Sequence, residues 1–350
     1  MKKFLIPVFT AFVHVSSAQE IDPALLGIFK PLSKLAENKD NPLTESKIAL
    51  GHQLYFEPRL SLDHQVSCNT CHNLNSYGDD GRATSLGIGG QKGGRNAPTV
   101  LNAAIHLSQF WDGRAKDVEE QATGPILNPI EMGMPSSEFI LEVLGSMPEY
   151  VGLFEKAFPG EEEALTLTNV GRAIGAFERT LLTPSRFDQF LEGKKEALSI
   201  KEKRGLNTFV TKGCATCHNG MGVGGHMYQK LGLLKPWPTE DKGRANLEGH
   251  ENMEGFFKVP SLRNCTETAP YLHDGSLQTL EETIKMMAEY QTTQTLNDEE
   301  ISDIIAFLGS LRGEVNPEHA NAPSLPASTD RTPKPRQVTA TSPRSSSHSK

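Results

Sequence analysis

The chain has 350 residues, 37% of them hydrophobic and 22% charged, which is enough for about two ordinary domains with packed cores. Its formal net charge of −8 argues against nucleic acid and against an anionic membrane surface, and is compatible with a small basic redox protein as partner. Five cysteines in an exported chain would ordinarily suggest disulfides, but Cys68, Cys71, Cys214 and Cys217 all fall inside Cys-x-x-Cys-His, and Cys265 stands alone as a small apolar filler.

Residues 1–18 read as a signal peptide: Lys2 and Lys3, the apolar run FLIPVFTAFVHV, then small residues ending at Ala18. That run is shorter than the roughly 20 residues a bilayer requires, and no later segment is apolar enough. The mature protein is therefore expected to be exported to the periplasm without a membrane span. Ile48, Leu54 and Phe56 mark an amphipathic helix ahead of the first motif, SCNTCHN at 67–73. The Gly-rich stretch GIGGQKGGRNAP follows as a loop. Val170, Ile174, Phe177 and Leu181 recur at helical spacing. Ser199 with Glu202 forms a capping box for a helix carrying Leu206, Phe209 and Val210, which leads into the second motif, GCATCHNG at 213–220. Asn297 with Glu300 caps a last helix with an apolar stripe of Ile301, Ile304, Ile305, Leu308 and Leu311. The expected fold class is all-α, with two cytochrome c-like haem domains joined by long site-building loops. The segments are 1–18 signal peptide, 19–183 first domain, 184–313 second domain and 314–350 tail. The tail is rich in Pro, Ser, Thr and Lys/Arg and nearly lacks large apolar side chains, so it is expected to be disordered.

Cys-x-x-Cys-His is the attachment signature of c-type haem: two thioethers to the porphyrin, and the adjacent His placed to bind iron. A thioredoxin-like pair would need a βαβ context that is missing here, and a lone zinc site would not repeat at domain spacing. Two covalently bound haem c groups are the expected cofactors, with His72 and His218 as proximal ligands. The sixth ligands separate an electron carrier from an enzyme, because an open iron can bind a small oxidant. Met286 and Met287 lie side by side before the last helix, and spacing alone does not choose between them.

The sequence resembles the bacterial di-haem cytochrome c peroxidases over about residues 25–312. The resemblance is carried by LGHQLYFEPRLS, SCNTCHN, RNAPTVLNA, QFWDGRAKD, SMPEY, FERTLLTP, GCATCHNG, and VPSLRN followed by TAPYLHDGS. It implies reduction of hydrogen peroxide to water with electrons from a small exported donor, a c-type cytochrome or a copper protein. It also implies a C-terminal haem at high potential with Met287 as sixth ligand, and an N-terminal haem that meets peroxide. Trp111 falls on the aromatic between the haems. Gln121 and Glu131 fall on the polar pair at the distal face, where a carboxylate can take a proton from one peroxide oxygen and give it to the other. An interdomain calcium falls on Asn96, Thr268 and Pro270, and relatives are often homodimers.

One position departs from the family pattern. Where well-studied members carry a distal His that occupies the peroxide-facing iron at rest, this chain has Ile88. Isoleucine cannot ligate iron. The expectation is a permanently open first site, with His64, His106, Met132 and Met134 as the alternatives that could substitute. A di-haem oxidase acting on a partner protein and a non-catalytic di-haem carrier are the rival readings. The first is disfavoured by Met287, where protein-maturing relatives carry Tyr, although Tyr290 lies nearby. The second is disfavoured by Ile88.

Overall fold

The computed structural model describes residues 23–338; the signal-peptide reading of 1–18 lies outside them. Among the described residues, twelve α-helices follow in chain order: α1 (Pro23–Leu26), α2 (Glu45–Tyr55), α3 (Cys68–Cys71), α4 (Val118–Leu127), α5 (Ser137–Gly145), α6 (Pro148–Ala157), α7 (Leu167–Glu178), α8 (Arg186–Leu191), α9 (Ile200–Thr211), α10 (Leu280–Gln291), α11 (Asp298–Gly309) and α12 (Pro317–Ala320). The described strands are β1 (Tyr228–Lys230) and β2 (Phe256–Lys258), paired antiparallel with Gln229 opposite Phe257. The all-α expectation holds.

Two hydrophobic cores organise the chain. The first gathers α2, α4, α5, α6 and α7, with Leu54, Tyr150, Phe154 and Phe177 fully buried. The second gathers α8, α9 and α11 around Phe187, Leu206, Phe307 and Leu311. Each core is built on one tight helix pair, and the repeat extends to the packing. A Cβ on Gly51 of α2 would lie 1.9 Å from the Ala173 carbonyl oxygen of α7. One on Gly205 of α9 would lie 1.8 Å from the Asp303 carbonyl oxygen of α11. Glycine is what lets both backbones touch. The capping boxes at Ser199 and Asn297 are formed, their side chains accepting from the backbone N–H of Glu202 and Glu300.

The termini cross over. Phe29, upstream of the first core, packs into the second core against Phe187. Of the tail expected to be disordered across 314–350, residues 339–350 lie outside the described residues. Residues 314–338 run along the first core, with Ala320, Pro326 and Thr332 buried. A polar segment can order when folded neighbours supply the partners for its backbone groups, and composition does not register partners outside the segment.

Candidate active site

Both motifs adopt the same local geometry. Cys68–Cys71 is a single helical turn, and the His72 N–H donates to the Cys68 carbonyl at 2.9 Å. Cys214–Thr216 is a tighter turn, and the His218 N–H donates to the Cys214 carbonyl at 3.0 Å. Two thiols and an imidazole are thus presented by one turn at each place. All four cysteines are free and half-buried. Both histidines are half-buried, with Nδ1 shielded from solvent. Burial lowers the His72 pKa, against the backbone at Gly78 and Pro98, which favours the protonated ring. Burial likewise lowers His218 to about 4, against the backbone at Val223 and Pro260. These backbone contacts fall short of full hydrogen-bond geometry, leaving both Nδ1 atoms buried without a partner. A neutral imidazole keeps one nitrogen as a lone-pair donor. The set fits covalently attached haem at both motifs. Gly224 supports the second: at φ +124°, a Cβ would lie 2.1 Å from the Pro260 oxygen and 3.2 Å from His218 Nδ1.

Around the first motif, the buried Tyr55 hydroxyl donates to the His72 carbonyl at 2.6 Å. Ile88 opens a turn and is 2% exposed, its side chain within the first core and its N–H donating to the Glu131 carbonyl at 2.8 Å. Gly87 makes this approach possible, since a Cβ there would lie 1.9 Å from the Ile130 oxygen. Glu131 is half-buried in the loop after α4; burial raises its pKa and the Arg114 guanidinium opposes the rise. Gln121 is half-buried on α4. Trp111 Nε1 donates to the Asn96 carbonyl at 2.9 Å, its ring meets His273 edge-on, and its carbonyl accepts from the Lys258 N–H at 2.7 Å. Trp111 therefore bridges segments from both halves of the chain.

Asn96 and Pro270 are brought together across the chain: Asn96 Nδ2 donates to the Pro270 carbonyl at 3.0 Å, and Asn96 N–H to the His273 carbonyl at 2.8 Å. Thr268 is half-buried two residues before Pro270. Among the described residues, no group of three or more His, Cys, Asp or Glu converges as a ready-made metal cage. On α10, Met286 is buried and Met287 half-buried. Met132 and Met134 are committed to the first core, and His64 is half-buried beside Asp63 and Arg59. His106 is half-buried with Nδ1 3.3 Å from Lys258 Nζ, and Gly225 lies close against its ring. Lys258 comes from β2, so this contact ties His106 to the second half of the chain.

The sequence reading missed two charged clusters. Arg95 bridges Asp112 and Asp241 at 2.6 and 2.7 Å, and Arg114 also grips Asp112 while lying 3.4 Å over the Phe110 ring. In the second core, buried Arg263 grips Asp188 through both Nη atoms at 2.9 and 2.6 Å. RNAPTVLNA, QFWDGRAKD and VPSLRN hold most of these residues, but nothing local in them announces pairs so far apart.

Residues 45–196 match the family described as di-haem cytochrome c peroxidase, and residues 202–312 the family described as cytochrome c. The cytochrome c551 peroxidase of Pseudomonas aeruginosa is 42% identical, over 92% of this chain and 94% of that protein. The cytochrome c551 peroxidase of Nitrosomonas europaea is 47% identical, over 81% of this chain and 85% of that protein. Among solved structures, a MauG-like protein associated with microbial copper homeostasis superposes with TM-score 0.72 at 28% identity, covering 87% of this chain and 96% of that one.

Proposed function

The chain belongs to the di-haem cytochrome c peroxidase family, and on that premise we propose that it is an exported enzyme reducing hydrogen peroxide to water with a small c-type cytochrome or copper protein as donor. The observation that carries the finer reading is Ile88, buried in the first core where the resemblance puts a distal His. The first motif would then hold a haem at which peroxide meets no competing protein side chain. When bound, haem supplies the redox-active iron at which peroxide is reduced.

The chain's own residues divide the remaining work. Cys68, Cys71 and His72 hold the first group, and Cys214, Cys217 and His218 the second. Met287 would offer its thioether to the second, and a thioether donor would favour a high potential suited to accepting electrons. Its half-buried position on α10 supports this role, whereas Met286 is buried. Trp111 spans the two halves through Asn96 and Lys258. Glu131, with Gln121, accepts the proton of one peroxide oxygen and returns it to the other, a role helped by a pKa that burial raises. Asn96, Thr268 and Pro270 would supply side-chain and backbone oxygens to a calcium ion between the halves. Residues 1–18 direct export to the periplasm, the protein works as a homodimer, and among the described residues no helix is long and apolar enough to cross a membrane.

Oxidation of a partner protein is the second reading. Met287 opposes it, and Tyr290 is engaged elsewhere, edge-on to Trp237 with Lys235 Nζ 4.5 Å from its ring centroid.

The test is electron paramagnetic resonance of the fully oxidised, haem-loaded protein, with peroxide consumption followed on the same sample before any reduction. A high-spin signal with immediate turnover is expected. Low-spin signals alone, with no turnover until reduction, would overturn the open-site reading.

A further inference from the structure

Composition made the tail a disordered appendage, yet its contacts are specific and follow one path. From the second core, where Leu311 is fully buried, the chain crosses to the first. On α12, the His319 ring lies edge-on to Phe177 and its carbonyl pairs with His52 Nε2 at 3.1 Å. The Ala320 carbonyl accepts from Asn75 Nδ2 at 3.2 Å, in the turn directly behind His72. Arg59 then holds the Pro326 carbonyl and Ser328 Oγ, each at 2.8 Å. Thr329 Oγ1 donates to the Ser146 carbonyl at 2.8 Å, and Ser146 Oγ donates to Thr332 Oγ1 at 2.9 Å.

The far end lands on the peroxide-facing loop. Arg336 N–H donates to the Leu62 carbonyl at 2.9 Å, and its guanidinium lies 4.8 Å over the Phe139 ring. Val338 covers the Ile88 turn so closely that a Cβ on Gly89 would lie 2.7 Å from the Val338 oxygen and 2.9 Å from its Cγ1. Beneath the strap, Leu62 N–H donates to the Met132 carbonyl at 2.8 Å, Gly89 N–H to Asp63 Oδ2 at 3.2 Å, and Ile88 N–H to the Glu131 carbonyl at 2.8 Å. Three backbone layers are stacked: residues 336–338 outside, 62 and 88–89 between, and 131–132 within. The innermost carries Glu131.

We propose that the C-terminal strap is a positioning element of the peroxide site, and that Arg336 and Val338 clamp the Ile88 turn onto the backbone of Glu131 and so fix that carboxylate. The inference rests on Glu131 being the acid–base group. Arg336 and Val338 touch no reacting atom; they act through Ile88 and Leu62. The Ile88 turn contains Gly87, Gly89 and Gly90, the last two at positive φ, so little in its own backbone holds it still. Its fixity comes from the buried Ile88 side chain and from the strap above.

The test uses the haem-loaded full chain, a variant ending at Pro335, and the point variants Val338→Asp and Val338→Ile. Hydrogen exchange is read on peptides covering 84–95 and 126–134, with 200–211 and 280–291 as internal controls. Peroxide turnover is followed across pH. The truncated and Asp variants are expected to exchange faster at 84–95 and 126–134 alone. Their turnover should fall about 10-fold or more, because a misplaced catalytic group loses rate steeply, and their pH profile should shift. Val338→Ile should match the parent. Unchanged exchange in both strap variants overturns the clamp. Faster exchange with unaltered turnover and pH profile overturns its bearing on Glu131. If the parent itself consumed no peroxide, the activity proposed above would fail, while the exchange comparison would still decide the clamp.

Discussion

Replacing Ile88 by His tests the open site most directly, because the structure predicts where the new ring can go. Ile88 is 2% exposed among core residues, and burying such a side chain is worth about 1.5–3 kcal/mol that the variant gives up. An imidazole left there would leave a polar nitrogen unpaired, costing about 1–3 kcal/mol. The first loss is the same wherever the ring sits, so it is the second, about 1–3 kcal/mol, that drives the ring out of the pocket. The main opposing term is the Ile88 N–H bond to the Glu131 carbonyl, worth about 0.5–1.5 kcal/mol. Expulsion wins, and the glycines on either side let the turn swing. A ring that leaves this pocket at the position of the family's distal ligand should bind the first iron. Electron paramagnetic resonance of oxidised Ile88→His should therefore show a new low-spin signal, and peroxide consumption should require prior reduction. Ile88→Val, which keeps the apolar contact, should leave the spectrum unchanged. A folded Ile88→His protein that stays high-spin and turns over at once would refute the reasoning.

Further outcomes are expected at Glu131, at the second haem's ligand and in the second core. Glu131→Gln should lower peroxide turnover by about 100-fold or more, the range of a general acid–base group; Arg114→Ala, which removes the cation opposing the burial-driven rise in the Glu131 pKa, should move the rising limb of the pH profile upward. Met287→Ala should lower the reduction potential of the second haem in a redox titration, whereas Met286→Leu should leave it in place. Arg263→Met should cost about 3–5 kcal/mol in urea unfolding, because it strands the buried Asp188 carboxylate. Burial raises the Asp188 pKa, but Arg263 and the N–H groups of Leu32 and Ser185 outweigh that and hold it below the ordinary carboxylate value. The stability this lowered pKa confers is present above pH 4 or so and is lost as pH falls through it. Without Arg263 the carboxyl no longer has its main lowering partner, so the variant's stability deficit relative to the parent should narrow as pH falls and Asp188 is protonated.

What was legible in the sequence was local. Each Cys-x-x-Cys-His places its three chemical groups within five residues, so one turn settles their mutual geometry wherever it sits. The periodic stripes over α7 and α11 and the capping boxes at Ser199 and Asn297 are likewise decided within a few residues. The resemblance brought in Trp111, Glu131 and Met287, which no local pattern distinguishes from core or surface residues.

Tertiary structure decided everything that depends on which distant groups meet. Asn96 reaches the Pro270 carbonyl and Lys258 reaches His106 only because two cores pack side by side, and Arg263 reaches Asp188 only because the second core closes around them. Nothing in any of those segments encodes its partner. The tail shows the reason most plainly: by composition residues 314–338 cannot build a core, and they build none. They order because Arg59, Asn75, Ser146 and Leu62, already fixed by the first core, offer partners to a polar backbone at no further loss of their own freedom. Ile88 carries both lessons. Its identity alone rules out an iron ligand, and only the fold places it in the core, beneath Val338 and bonded to Glu131.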